Sequence, residues 1–182
     1  KKIGKWTFAL DGNADYEAEM SSITFPDGLE EIGATAFQNS KLTSVSLPDS
    51  VTTLGNAAFT GSGKMTSLKL SAGLTAIPDA AFTAGPVADM KLTSVEIPQG
   101  VKTIGRNAFS GTHVEQLTLP DTLESIGQTA FQNHQLTEVE IPGSVTTIGK
   151  QAFNGCKVLT SITISSKVLK TVNVINFSKK QK

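Results

Sequence analysis

Six alanine–phenylalanine pairs recur along the chain at a nearly constant step. The phenylalanines Phe37, Phe59, Phe82, Phe109, Phe131 and Phe153 stand 22, 23, 27, 22 and 22 residues apart, and each follows an alanine, from Ala36 to Ala152. Prolines keep the same step at Pro26, Pro48, Pro98, Pro120 and Pro142, with Ser71 and Ser165 in the two remaining slots. A unit this short cannot bury its own apolar residues, so a fixed period implies that neighbouring units stack and complete one another.

Apolar columns within the period predict how one unit runs. Leu42, Leu92 and Leu136 open their units, Val45, Val95 and Val139 follow three residues on, and Leu47, Ile97 and Ile141 two further. The last two positions alternate with polar residues, as in a strand with one buried face. Stacked units would pair these strands side by side into a parallel sheet. Proline directly after the strand has no N–H to offer a ladder and closes it. Val51, Val101 and Val145, then Leu54, Ile104 and Ile148, point back into the core as the chain crosses to the far side. Gly33, Gly55, Gly105, Gly127 and Gly149 come next, where the backbone needs either a positive φ or a close approach. Pro78 takes that slot in the third unit, so its turn must differ. The alanine before each phenylalanine leaves room for a column of stacked rings.

The run Leu-Thr-Ser-Val-x-Ile-Pro-x-x-Val-x-x-Ile-Gly-x-x-Ala-Phe-x-x, nearly complete at 92–111 and 136–155, resembles the BspA-type leucine-rich repeat of bacterial surface proteins. The resemblance covers about residues 20–165. It implies an α/β-type repeat solenoid, right-handed and curved, with a parallel sheet on the concave face and turns or short helical segments on the convex side. Members are mostly secreted or cell-surface proteins of gut and oral bacteria, with relatives in some protists. What it implies for function is adhesion, to host proteins such as fibronectin or fibrinogen or to other bacteria.

The expected organisation is one structural domain: an N-terminal cap over 1–20, six to seven repeats over 21–165, and a C-terminal cap and tail over 166–182. Trp6, Phe8 and Leu10 alternate like a strand, and Trp6–Met20 is read as the cap that covers the first unit. Binding by Trp6 or Tyr16 is the alternative. The third unit carries five extra residues within Thr83–Met90, read as tolerated drift, with a ligand-contacting loop as the other reading. Phe177 falls near the phenylalanine column without its alanine, and Asn176-Phe177-Ser178 is formally a glycosylation sequon. A start at Lys-Lys-Ile-Gly without methionine fits a mature secreted chain or an expressed fragment.

Sixteen basic and sixteen acidic side chains give no net charge, which argues against nucleic acid and anionic membrane as partners. No stretch approaches the roughly 20 apolar residues of a membrane span. The inventory for catalysis is thin. His113 lies in a polar column with Lys41, Lys64, Lys91 and Gln135, with His134 expected beside it one unit later, where a two-histidine metal clip is conceivable but short of ligands. Cys156, in a chain with one cysteine, is expected to be a half-buried filler, distant from both histidines in the repeat register. Repeated serines such as Ser44, Ser67 and Ser94 belong to the scaffold rather than to a triad, which needs a unique place. Catalytic, cofactor and metal residues are therefore expected to be none.

What remains is the outward face of the expected sheet. Its candidate partner-binding residues are Lys69, Glu96, Gln116, Thr118, Glu138 and Glu140, in which acid gathers toward the second half. Such a patch would steer a basic protein partner; the plainer reading is a solubilising surface. Without aromatic residues in these columns, sugar stacking and single-stranded nucleic acid are disfavoured. The function expected is a non-catalytic protein-binding or adhesion module, secreted or at a bacterial surface. Repeats that hold another domain away from that surface are the alternative.

Overall fold

A computed structural model of the chain describes residues 1–10, 20–85, 90–165 and the backbone of 171–172. The chain winds into stacked coils, and from Ser44 to Ile148 each carries two short strands. The first set is β3 (Ser44–Ser46), β5 (Ser67–Lys69), β7 (Ser94–Glu96), β9 (Gln116–Thr118), β11 (Glu138–Ile141) and β13 (Ser161–Ile164). These are the expected leucine-x-leucine strands, and they pair in parallel with the repeat register, Val45 beside Leu68, Val95 beside Leu117 and Val139 beside Ile162. They form three two-stranded ladders, β3–β5, β7–β9 and β11–β13, rather than one continuous sheet. This wall is the strand face below.

A second parallel wall comes from two-residue strands: β1 (Lys2–Ile3), β2 (Glu31–Ile32), β4 (Thr53–Leu54), β6 (Ala76–Ile77), β8 (Thr103–Ile104), β10 (Ser125–Ile126), β12 (Thr147–Ile148) and β14 (Thr171–Val172). It divides into β1–β2–β4 and β6–β8–β10–β12–β14, and Pro78 explains the break. In the other coils the slot after the aliphatic residue is a glycine whose N–H bonds the aliphatic carbonyl one coil back. Gly33 bonds Ile3, Gly55 bonds Ile32, Gly105 bonds Ile77 and Gly149 bonds Ile126, each at 2.8 Å. Pro78 has no N–H, so the bond that would fasten β6 to β4 is missing.

Between this wall and the strand face runs the segment for which short helices were expected. Among the described residues there is no helix. The destination of the backbone N–H groups supplies the reason. Those of Thr35, Phe37 and Asn39 donate forward to Asn56, Ala58 and Thr60 of the next coil, while those of Ala36, Gln38 and Ser40 turn back three residues within their own coil. An α-helix requires every N–H to bond four residues back, so donors committed between coils exclude it. The alternation is set by left-handed residues immediately before the alanine–phenylalanine pair, such as Thr35 (φ 54°), Ala57 (φ 55°) and Asn107 (φ 54°).

The core is the expected column of rings. Phe37, Phe59, Phe82, Phe109, Phe131 and Phe153 stack with centroids 5.0–5.6 Å apart and planes within 12° of parallel. Ala36, Ala58, Ala81, Ala108 and Ala130 beside them are fully buried. Of the two readings of the coil glycines, close approach holds. Their φ is ordinary, and a Cβ on Gly33 would stand 2.7 Å from the backbone of Gly4 and Lys5.

The first ten residues differ from the expected cap. Lys2-Ile3 pairs with Glu31-Ile32 in the coil register, and Phe8 donates its N–H to the Ala36 carbonyl and stacks on Phe37 at 5.1 Å. Residues 1–10 are thus half a coil, and residues 5–8 turn rather than run as a strand. Trp6 does not cover the core. It occupies the left-handed slot (φ 59°) and is 64% exposed, leaving that task to Phe8. Tyr16, the insert positions 86–89, and Asn176 with Phe177 lie outside the described residues.

Candidate functional site

On the strand face the inward residue of each strand is flanked by two outward ones, because successive side chains of a strand alternate sides. The outward residues are Ser44 and Ser46 on β3, Ser67 and Lys69 on β5, Ser94 and Glu96 on β7, Gln116 and Thr118 on β9, Glu138 and Glu140 on β11, and Ser161 and Thr163 on β13, all exposed. Val45, Val95 and Val139 between them are buried. The rigid column beneath therefore fixes where each polar side chain stands.

The candidate residues distribute over all three ladders. Ser94 faces Gln116 and Glu96 faces Thr118 on the β7–β9 ladder, while Glu138 faces Ser161 and Glu140 faces Thr163 on β11–β13. Lys69 belongs to the β3–β5 ladder, opposite Ser46. Glu138 and Glu140, two residues apart on one strand, project on the same side about 7 Å apart. Across its ladder each acidic residue here meets a hydroxyl, Glu96 meeting Thr118, Glu138 Ser161 and Glu140 Thr163, while on its other flank Glu96 has β5, the strand of Lys69. Among the described residues, ion pairs lie on the second wall, such as Lys2 Nζ to Glu31 Oε2 at 2.6 Å and Lys102 Nζ to Glu124 Oε1 at 3.2 Å.

The two histidines do not share a column. His113 is half-buried and its Nδ1 lies 3.3 Å from the Met90 carbonyl. His134 is fully buried, three residues past Phe131, in a column of polar side chains that the sequence reading missed. The column contains Ser40, Ser62, Thr112, His134 and Cys156, each three residues after a phenylalanine. That spacing was the available signal. Ser40 and Ser62 share a hydroxyl–hydroxyl bond of 2.9 Å, and Ser62 donates to the Phe37 carbonyl at 3.1 Å. Thr112 donates to the Phe109 carbonyl at 2.9 Å, and the Cys156 thiol donates to the Phe131 carbonyl at 3.3 Å. The column thus satisfies phenylalanine carbonyls that the ring stack keeps from water.

Cys156 is half-buried, as expected, but it stands one coil from His134 in the same column, against the expected distance. Burial pushes its thiol pKa up, with a hydrogen bond from the His134 backbone acting the other way. A thiol kept protonated is a poor nucleophile. Burial pulls the His134 pKa down to about 4, opposed by its bond to the Phe109 carbonyl and assisted by His113. Among the described residues no three His, Cys, Asp or Glu side chains gather as a metal site would require, and no helix is long and apolar enough to cross a membrane.

A family model described as "BspA type Leucine rich repeat region" matches residues 9–91 and 86–181. Solved structures resemble the fold. A leucine-rich repeat protein of Bacteroides ovatus superposes with a TM-score of 0.78 at 28% identity, over 89% of this chain and 40% of that one. A leucine-rich repeat protein of T. pallidum gives 0.68 at 31% identity over 79% of this chain and 66% of that one. A leucine-rich cell surface protein of Faecalibacterium prausnitzii gives 0.56 at 30% identity over 81% and 46%. The chain therefore spans less than half the length of the first and third of these. No curated protein sequence matches it.

Proposed function

The chain belongs to the BspA-type leucine-rich repeat family, and from that membership we propose that it is a non-catalytic binding module whose strand face receives a protein. The observation that carries the proposal is the strand face itself. It is a wall of six strands with every outward position polar, held by inward valines, leucines and Ile162, with the carboxylates of Glu138 and Glu140 left beside the hydroxyls of Ser161 and Thr163. At about 4.8 Å per strand the wall spans roughly 25–30 Å, enough for the approximately 800 Å² that each partner contributes to a specific complex.

Rigidity favours such a role, since a surface already ordered loses little conformational freedom when a partner docks. The acid on β7 and β11 favours a partner with a basic segment, and Lys69, Gln116 and Thr118 supply the donors around it. An extracellular or bacterial-surface setting, with adhesion as the consequence, fits the Faecalibacterium neighbour, itself described as a cell surface protein.

The test is a direct one. The purified chain, immobilised, is exposed to a panel of extracellular-matrix proteins and bacterial surface extracts at low and physiological salt. Retention of a protein that is lost when Glu138 and Glu140 are changed to lysine supports the reading. If no protein is retained, the repeats are a spacer that holds another domain away from the surface.

A further inference from the structure

The buried polar column contains one side chain that its own logic does not require. At Ser40, Ser62 and Thr112 a hydroxyl meets the need for a donor, and a hydroxyl does not titrate in the physiological range. His134 fills the same place with an imidazole. Its Nε2 lies 2.7 Å from the Phe109 carbonyl, which can only accept, so Nε2 carries the hydrogen, and Thr112 Oγ1 stands 3.4 Å away. Both partners are on the preceding coil.

The imidazole plane is turned 79° from the Phe131 ring at a centroid distance of 5.8 Å. Phe131 lies flat across the stack, parallel to Phe109 and Phe153, so the imidazole stands along the stacking axis. With Nε2 aimed at the coil before, Nδ1 is aimed at the coil after, where Cys156 occupies the column. The thiol hydrogen is engaged by Phe131, and Nδ1 is left buried with no hydrogen-bond partner. An unpaired lone pair in that place is tolerable. A second N–H and a positive charge there would be buried with only the weakly accepting sulfur of a neutral thiol beside them.

We propose that His134 makes the stack acid-labile at one joint, so that protonation of its ring parts the coils carrying Cys156, β11 and β13 from those before them. The groups facing the ring give the charge no relief. His113, on the coil before, opposes it, and Cys156, on the coil after, is a neutral thiol. Glu115 and Glu138 stand at exposed positions on the strand side. Because each coil touches only its neighbours, weakening one joint releases everything beyond it.

The direction follows from linkage. In the unfolded chain the imidazole protonates at its ordinary value of 6.5, and in the folded chain only near 4. Stability from the buried neutral ring is present above pH 6.5 and is lost as pH falls from there through 4, a change of roughly 150-fold in the folding constant by pH 4. The coils beyond the joint bear Glu138 and Glu140, so acid would also dismantle two of the six strands of the proposed binding face. That consequence rests on the binding reading; the joint does not, and it is tested without a partner.

The experiment compares denaturant unfolding of the whole chain and of His134→Ser, which installs the residue found at Ser40 and Ser62, between pH 7.5 and 4. The wild-type folding constant is expected to fall roughly 150-fold further than that of the variant over this interval. Hydrogen exchange on the wild type should show amides of 134–165 losing protection before those of 25–85. Equal acid slopes, or loss of protection beginning elsewhere, overturns the proposal. Should His134→Ser not fold, the His134 ring signals of the wild type decide. A ring that stays neutral until about pH 4 supports the joint, and one that protonates near 6.5 ends it.

Discussion

Gly127 lies over Gly105 of the preceding coil so closely that a methyl group on it would stand 2.5 Å from the Gly105 carbonyl carbon and 2.6 Å from its oxygen. Backbone cannot yield as a flexible side chain can, so the coils would have to part. Gly127→Ala is expected to cost about 3 kcal/mol, at the upper end for overpacking. Gly143 is the control from the next coil. Its φ is ordinary and the nearest atom to an added Cβ is the Ser165 oxygen at 3.5 Å. Gly143→Ala should stabilise by about 0.4–1 kcal/mol through the unfolded chain alone. Urea unfolding of the two variants measures both, and a destabilised Gly143→Ala would mean that coil spacing, rather than local contact, governs these glycines.

The phenylalanine column predicts a gradient of sensitivity. Phe109 is fully buried between Phe82 and Phe131, at 5.3 and 5.6 Å, and Phe109→Ala should cost about 3–5 kcal/mol. For a chain of this size that lowers Tm by roughly 10 °C. Phe8 caps the column with one ring face against Phe37 and is 41% exposed, so Phe8→Ala should cost less than half as much. Equal losses in calorimetry would show the first half-coil to be as integral as the middle of the stack.

The ring stack and the pairing of the leucine-x-leucine strands were legible because side chains recur in columns, and period is what a sequence displays. The second wall was not, since two-residue strands such as Thr103–Ile104 are too short for an alternation to show. The absence of helix was hidden for a deeper reason. It depends on where the N–H groups of Thr35, Phe37 and Asn39 find acceptors, on a coil about 21 residues away. The half-coil at Lys1–Leu10 escaped notice because Thr7 stands in the alanine slot and 29 residues separate Phe8 from Phe37. Counted from the following strand, His134 falls next to the polar column of His113 and Gln135 and shows no burial. Counting from Phe131 puts it in the buried column.

A pair on the outer turn tests whether neighbouring coils constrain each other's residue types. Gly155 has φ +75°, and its α-carbon lies against the Asn133 side chain, so that an added Cβ would collide with the Asn133 carboxamide. Asn39 and Gly61, at the corresponding places earlier in the stack, show the same relation. Gly155→Ala incurs both left-handed strain, about 1–2 kcal/mol, and the collision. In the Asn133→Gly background only the strain remains. A double-mutant cycle should therefore give a coupling of about 1 kcal/mol, and strict additivity would remove the collision as a cause.

Charge reversal on the strand face separates binding from stability. Glu138 and Glu140 are exposed, and their ladder neighbours are the hydroxyl residues Ser161 and Thr163. No fold-stabilising contact is lost when both become lysine, and surface changes of this kind move stability little, so Tm should shift by less than about 2 °C. Binding is different, because charges at the edge of an interface act on encounter and register. A basic partner should associate at least tenfold more slowly with the double variant, and the wild-type association rate should fall with added salt while that of the variant does not. Surface plasmon resonance at two ionic strengths reads both quantities. A partner that binds both forms alike, with no salt dependence in either, would transfer the interaction to another wall of the solenoid.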